Sequence, residues 1–579
     1  MIVNDSYFPS FLLADCGSTA TTVALFDITE TGYRLVAQAV APTTAAAPWA
    51  DVSVGVQVAI GQLSKITGRP LLTDDGDLII PRQENGAGVD RFGVTVSAAP
   101  PLRLVTAGLL EDVSLASARR AVRTIYAQEV DSFSLNDTRD EQEQIEAMIT
   151  LEPDLILLTG GTDGGDTAQL RELLQKVELS ANLFNGAAKP QVLYAGNSRL
   201  RESVTASLSS LTNVHVAGNV RPTLQSEQLA DAMQVLGKLY EELKVGSLPG
   251  IQEIRGWSQF PVETTARAFG RMIEYFAALY ESRIMGLDLG SNSVVLATAR
   301  AQEGQIFIDS NAGMGRSLVN LLDNVPLPTL LAHIPYSMTE QALRDFIQEK
   351  ALYPQTVPMT EEELYLEQAL ARQVIRYTFA SAAEQWGWSG GAGAQPPPFS
   401  LLVLRGQTLA RAPRPGQAML MALDALQPSG IFSVAVDRYG VLPLLGLLAT
   451  QEPSAVVQIL EGGVLVEHGW VIAPSGPAQP GKKVLRIMVD SADKGEYRID
   501  AEFGELINVP LDPGIPAQLT LEPERRIDVG FGPGRSKKIT VHGGAAGLVV
   551  DCRGRPLQLP DEGAERQSIL RQWQWDMGG

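Results

Sequence analysis

Cysteine and histidine are nearly missing from this 579-residue chain, which has only Cys16, Cys552 and four histidines at positions 215, 333, 468 and 542. The cysteines stand almost as far apart as the chain permits, so neither a disulfide framework nor a C-x-x-C clip can be drawn. The scattered histidines offer no zinc site. A reducing, cytoplasmic setting is the expectation. Basic charge is also short: 46 Lys and Arg against 66 Asp and Glu leave a formal charge of −20. That balance argues against an extended nucleic-acid surface and against binding to anionic lipid. Long hydrophobic runs are absent as well, since Phe11 to Ala14 and Val441 to Ala449 are far too short for a signal peptide or a membrane span.

Hydrophobic residues make up 45% of the chain, enough for ample cores, and the length suggests roughly three or four domains. Two distant segments share one build, an apolar run entering Asp-x-Gly-Ser. They are Phe11-Leu-Leu-Ala-Asp15-Cys-Gly17-Ser18-Thr19 and Ile284-Met-Gly-Leu-Asp288-Leu-Gly290-Ser291-Asn292-Ser293. β-prone residues follow each, so both read as a strand, a tight glycine turn and a return strand. Glycine lets backbone approach an anion, turn N–H groups and hydroxyls donate to phosphate oxygens, and the aspartate can hold Mg²⁺ through its waters. This pairing resembles the actin, heat-shock-70 and hexokinase superfamily, whose two related domains each offer such a hairpin to ATP. Replacing Gly17 by Val is expected to block phosphate while leaving the fold largely intact. Cys16 reads as a reactive thiol or as a small filler of the turn.

Between the hairpins, Val54 to Thr67 reads as a helix, Gly68 to Asp90 as an exposed excursion, Leu102 to Gly108 as a strand, and Leu115 to Val130 as an amphipathic helix. From Asp154, three strand–turn–helix units in succession imply a parallel sheet. The first turn, Thr159-Gly160-Gly161-Thr162-Asp163-Gly-Gly165, is either a βα loop capping the next helix or an anion site near the nucleotide cleft. Gly390 to Pro398 is a low-complexity linker. Beyond Lys482 short β-rich runs, Arg526 to Val529 among them, suggest a separate all-β module, a sandwich or small barrel, before a helical tail.

The Asp15 hairpin, Leu158-Thr-Gly-Gly-Thr-Asp-Gly-Gly165, Ala217-Gly-Asn-Val-Arg-Pro222, the Asp288 hairpin and the terminal Val541-His-Gly-Gly-Ala-Ala-Gly-Leu-Val-Val-Asp551-Cys-Arg-Gly-Arg-Pro556 together resemble the glutamate mutase L family. The family comprises accessory proteins of adenosylcobalamin-dependent glutamate mutase and is unrelated to the mismatch-repair protein sharing its abbreviation. The resemblance implies an α/β fold of duplicated ribonuclease-H-like, actin-like halves at 1–283 and 284–480, with a β-rich module at 481–579. It also implies ATP and Mg²⁺ as cofactors, Asp15 and Asp288 as Mg²⁺ ligands through water, and mutase subunits as partners. Candidate nucleotide contacts are Asp15, Gly17, Ser18, Thr19, Asp288, Gly290, Ser291, Asn292, Ser293, Gly160, Gly161, Thr162, Asp163, Gly406, Gln407 and Thr408. Two positions depart from the family: Val295 stands where it has a second aspartate, and Arg405 where its adenosine loop has glycine. Weak ATPase activity in a chaperone or reactivating factor is the leading expectation. A non-catalytic scaffold and a small-molecule kinase are the rivals, and no motif singles out a catalytic base. Arg553 and Arg555 read as a partner-facing basic pair or as ordinary surface residues.

Overall fold

The structure, a computed structural model, describes residues 8–184, 189–301, 303–388, 395–492 and 494–578. Residues 390–394 of the glycine-rich linker lie outside the described residues. Two sheets share one plan. In the N-terminal sheet the strand Phe11–Cys16 pairs antiparallel with Ala20–Thr29, which pairs antiparallel with Gly32–Pro42. On its other side Phe11–Cys16 runs parallel to Arg91–Val96, and that strand parallel to Glu263–Thr264. In the central sheet Ile284–Leu289 takes the corresponding place, with Val294–Arg300 and Glu303–Asp309 antiparallel on one side and Leu401–Arg405 and Gly430–Val436 parallel on the other. The buried run of Phe11–Cys16 and that of Ile284–Leu289 suit strands covered on both faces.

The two halves dock through helices Thr265–Leu279 and Leu442–Leu448. Every residue of Leu442–Leu448 is buried. Their backbones cross so closely that a Cβ on Gly446 would lie 2.0 Å from the Ala268 carbonyl oxygen. Between the first half's strands is inserted an all-parallel sheet ordered Ala127–Phe133, Leu102–Ala107, Leu155–Leu158, Gln191–Tyr194 and Val214–Val216. Here the expected helix across Leu115 to Val130 is corrected. The helix stops at Val122, and Ala127–Phe133 is a strand at the edge of the insert. The run Thr124-Ile125-Tyr126 ends the helix because its β-branched and aromatic side chains favour extended backbone. The excursion across Gly68 to Asp90 is only partly exposed, since Leu71, Leu78, Ala87 and Val89 are buried.

Past residue 481 the chain divides. Gly495–Glu502, Lys483–Ser491, Pro516–Pro523 and Lys537–His542 form a separate four-stranded antiparallel sheet. Leu548–Asp551 and Leu506–Val509 instead extend the central sheet beyond Val466–Ala473. The β-rich segment is therefore a sandwich that shares one layer with the second half, its core joining Leu485, Ile487 and Leu519 to Ile472, Leu548 and Val550. Leu548–Asp551 is buried throughout, which a strand of a free-standing surface sheet would not be. Arg526 to Val529 forms no strand, only a bridge from Asp528 to Ser475.

Arg553 and Arg555, far from facing a partner, are buried. Arg553 places Nε 2.9 Å from Asp551 Oδ1 and Nη1 2.8 Å from Asp424 Oδ1, Arg555 places Nη2 2.8 Å from Asp551 Oδ2, and Arg372 Nε lies 2.8 Å from Asp424 Oδ2. The Arg553 guanidinium also stacks 4.5 Å from the Trp573 ring of the C-terminal helix Gly563–Asp576. This network fastens the C-terminal segment to helices Glu361–Gln385 and Pro415–Leu426. Burial alone would raise the Asp551 carboxyl, but Arg553 and Arg555 outweigh it and hold that group far below the usual carboxylate range. A depressed folded-state pKa contributes stability that is complete above the unfolded value near 3.8 and is lost as pH falls below it. Asp551→Asn, which leaves buried guanidinium charge uncompensated, should cost roughly 3–5 kcal/mol at neutral pH. It should also flatten the acid limb of a stability-against-pH curve measured by urea unfolding. Equal stability of variant and parent at pH 7 would show that the network does not hold the C-terminal segment.

Candidate functional site

Both hairpins close in the same way. Gly17 N donates to Ala20 O and Gly290 N to Ser293 O, each at 3.0 Å. A Cβ on either glycine would lie 2.7 Å from the oxygen that accepts this bond. The expectation that Gly17→Val leaves the fold intact is therefore corrected, because the side chain collides with the turn itself before any ligand is considered. The closing bond leaves the N–H groups of Ser18 and Thr19 to other partners, and both residues are partly exposed. Thr19 O accepts from Thr43 N at 3.0 Å and, from the second half, from Gln355 Nε2 at 3.0 Å. The second turn, also partly exposed, takes further bonds from its own half. Met314 N donates to Gly290 O at 3.0 Å, Gly315 N to Ser291 O at 2.7 Å, and Ser317 Oγ to Asn292 O at 2.8 Å. Among the described residues Ser291 Oγ and Asn292 Oδ1 are buried without a hydrogen-bond partner.

The two aspartates converge on one cation. Arg405, at the end of Leu401–Arg405, places Nη2 2.5 Å from Asp15 Oδ2, bonds Asp288 Oδ2 through Nη1, and brings Nε 3.6 Å from Asp437 Oδ2. Register explains the meeting. Asp288 pairs with Arg405 on one side and Val295 on the other, and Asp437 follows Val436, which pairs with Leu404, the residue before Arg405. Val295, Asp288, Arg405 and Asp437 thus form a row across four adjacent strand ends. In the first half Thr22, Asp15, Thr95 and Glu263 form the corresponding row. There Asp15 Oδ1 accepts from Thr95 Oγ1 at 2.9 Å and Thr265 Oγ1 at 2.7 Å.

Burial raises the Asp288 carboxyl against the pull of Arg405 and pushes Asp437 up to about 6 despite the same guanidinium. Asp437 also accepts from Val441 N and Leu442 N, each at 2.9 Å, so it caps the buried helix at the junction of the halves. Tyr126 lies in the same buried surroundings, and burial together with the Asp288 and Asp15 charges raises its hydroxyl well above the ordinary value. Burial and the adjoining Asp15 likewise raise the Cys16 thiol, which makes it a filler of the turn rather than a reactive group.

Gly406 lies against the second hairpin, where a Cβ would sit 2.0 Å from Leu289 O, and Gln407 and Thr408 open the short helix Gln407–Ala410. Asp15, Gly17, Ser18, Thr19, Asp288, Gly290, Ser291, Asn292, Ser293, Gly406, Gln407 and Thr408 therefore belong to one neighbourhood. Gly160, Gly161, Thr162 and Asp163 belong to the insert. Asn197 N donates to Gly160 O at 2.9 Å, Asn219 Nδ2 to Gly161 O at 2.9 Å, and Ser198 N to Asp163 Oδ1 at 2.8 Å. These bonds tie the loop to its neighbours within its own sheet rather than to the hairpins. The turn Ser198–Leu200 is capped by Asn197, Asp163 adds the bond from Ser198 N, and the helix Ala168–Leu183 that follows the loop takes no side-chain cap from its N-cap residue Thr167. Asp437 and Thr265 were not singled out in the sequence. The signal for Asp437 was present, an aspartate ending a buried β run as Asp15 and Asp288 do.

The carboxylates do not fit Mg²⁺ as they stand. Asp15 has both oxygens engaged, and a guanidinium stands between it and Asp288. Among the described residues no group of three or more His, Cys, Asp or Glu is arranged to hold a metal ion, and no helix is long and apolar enough to cross a membrane. Arg405→Ala, which leaves buried carboxylates facing one another, should cost roughly 3–5 kcal/mol in urea unfolding. Adding Asp288→Asn should recover part of that loss by removing one uncompensated charge. An Arg405→Ala protein as stable as the parent would mean that the cluster does not tie the halves together.

A curated relative, Protein MutL of Clostridium tetanomorphum, is 26% identical over 234 residues, covering 40% of this chain and 44% of that protein. The match thus spans less than half of the relative's length. Among solved structures, a nucleotide-free acetone carboxylase covers 85% of this chain and 81% of its own at 10% identity and a TM-score of 0.34. A nucleotide-free diol dehydratase-reactivating factor covers 76% and 99% at 9% identity and a TM-score of 0.30. The family model described as MutL protein matches residues 11–464, from the first strand through the docking helices, and the chain belongs to that family.

Proposed function

We propose that this protein is a nucleotide-binding, actin-like accessory factor that assembles or reactivates an adenosylcobalamin-dependent mutase such as glutamate mutase. The observation that carries the nucleotide reading is the pair of hairpins closed by bonds of equal length, whose aspartates meet at one point between two halves of matching strand order. Turn N–H groups and hydroxyls presented this way suit phosphate oxygens, and a cleft between two halves suits a nucleotide. Membership of the MutL family supports the accessory role.

A non-catalytic form of the same reading is favoured by two residues. Val295, opposite Asp288, is buried and apolar where the family carries a carboxylate, and Arg405 fills the space between the hairpin aspartates. Phosphoryl transfer depends on positioned charge and an oriented nucleophile, and neither residue supplies an orienting base. Slow or absent ATP hydrolysis follows.

Isothermal titration with ATP and ADP tests nucleotide binding, with Ser18→Asp as the control. A carboxylate on the partly exposed first turn repels phosphate without the backbone collision that any side chain at Gly17 brings. The parent should bind, and the variant should lose about tenfold or more in affinity, equivalent to about 1.4 kcal/mol. Equal binding by both proteins, or none by the parent at millimolar nucleotide, would overturn the reading. Recovery of activity by inactivated glutamate mutase, with and without this protein and ATP, tests the accessory role.

A further inference from the structure

We propose that Arg405 is a built-in replacement for the divalent cation of the cleft: its guanidinium is the cation between Asp15 and Asp288, so that the site takes phosphate ligands without Mg²⁺. The part concerning phosphate ligands rests on the nucleotide reading above. The part concerning the cation rests on Arg405 and the aspartates alone.

Position is the first argument. Arg405 bonds one oxygen from the first hairpin's aspartate and one from the second's, which is where an ion bridging the halves through those carboxylates has to stand. Mg²⁺ demands near-octahedral oxygen ligands at about 2.0–2.1 Å and keeps several waters. A guanidinium already within hydrogen-bond distance of both carboxylates excludes that hydrated shell.

Permanence is the second. Guanidinium stays charged at any pH a protein tolerates, and its planar fork presents N–H donors in fixed directions. The Arg405 backbone has little freedom to withdraw, because Gly406 adopts φ +105° and lies against Leu289 O too closely for any side chain. A side-chain departure strips Asp15, Asp288 and Asp437 of their shared counter-charge at once.

Charge is the third. Two aspartates with Mg²⁺ are neutral, whereas two aspartates with one guanidinium retain a negative charge. Asp15 is further satisfied by the hydroxyls of Thr95 and Thr265, which donate to a carboxylate oxygen that a metal's water would otherwise approach. Asp288 Oδ1 and Arg405 Nε are buried with no hydrogen-bond partner among the described residues, and the cluster compensates phosphate charge less well than a loaded Mg²⁺ site.

Mn²⁺ titration followed by electron paramagnetic resonance tests the cation part, using the full-length parent, Asp15→Asn, Arg405→Ala and the double variant. Parent and Asp15→Asn should bind Mn²⁺ alike, through scattered surface carboxylates only. Arg405→Ala should gain one tighter Mn²⁺ site, which Asp15→Asn removes from the double variant. A parent site that Asp15→Asn abolishes would overturn the proposal, and this comparison stands even where Arg405→Ala fails to fold. ATP titration of the parent in MgCl₂ and in EDTA tests the ligand part. Affinities within about twofold are expected, and a loss of about tenfold or more in EDTA contradicts metal-free binding. Absence of ATP binding in both buffers defeats the nucleotide reading, while the Mn²⁺ comparison still decides the role of Arg405.

Discussion

One guanidinium shared by three buried aspartates is the constraint around which the two halves are arranged. Burying charge costs several kcal/mol per ion unless geometry and further hydrogen bonds offset it, and here two of the three aspartates have a second anchorage. Asp15 is held by two threonine hydroxyls and Asp437 by two backbone N–H groups, whereas Asp288 Oδ1 is buried with no hydrogen-bond partner among the described residues. Because Asp437 also caps the helix that crosses Thr265–Leu279, the cluster and the apolar junction are mechanically one unit. Separating the halves at the hairpins strains the helix crossing as well.

The two halves repeat a plan but not a chemistry. Along corresponding rows of strand ends, Asp15 answers to Asp288, Thr95 to Arg405 and Glu263 to Asp437. Glu263 finds its counter-ion locally, bonding Arg271 through both carboxylate oxygens at 2.9 and 3.0 Å. Asp437 shares its counter-ion with the opposite half. The first half thus holds its aspartate with neutral donors, and the second supplies the only cation among the residues of these two rows. Both turns are partly exposed, and the second is in addition bonded by the backbone of Met314 and Gly315.

Much of this was legible in the sequence, since Asp-x-Gly-Ser after an apolar run encodes a local strand–turn–strand and the inserted βα units encode a parallel sheet through alternation. Arg405 was visible as a residue out of place, but the direction in which its side chain reaches is set by the register of three strands and by contact between halves that no local pattern records. The same limit applies to Arg553 and Arg555. Charged residues beside a turn read as surface until tertiary structure buries them against Asp424 and Asp551. Leu548–Asp551 carries the composition of any buried strand, so its transfer from the C-terminal module to the central sheet could not be foreseen from residue types. Asp437 was missed because its helix was read only as an apolar stretch, and a cap is recognised from both sides of the turn.

The central claim, that an arginine serves as the cation between the hairpins, is tested most directly by a crystal structure of the protein grown with Mn²⁺ and ATP, with anomalous scattering measured at the manganese edge. The account predicts the Arg405 guanidinium between Asp15 and Asp288 and no anomalous peak at that position. A manganese peak bridging the two carboxylates, with Arg405 turned away, would contradict it.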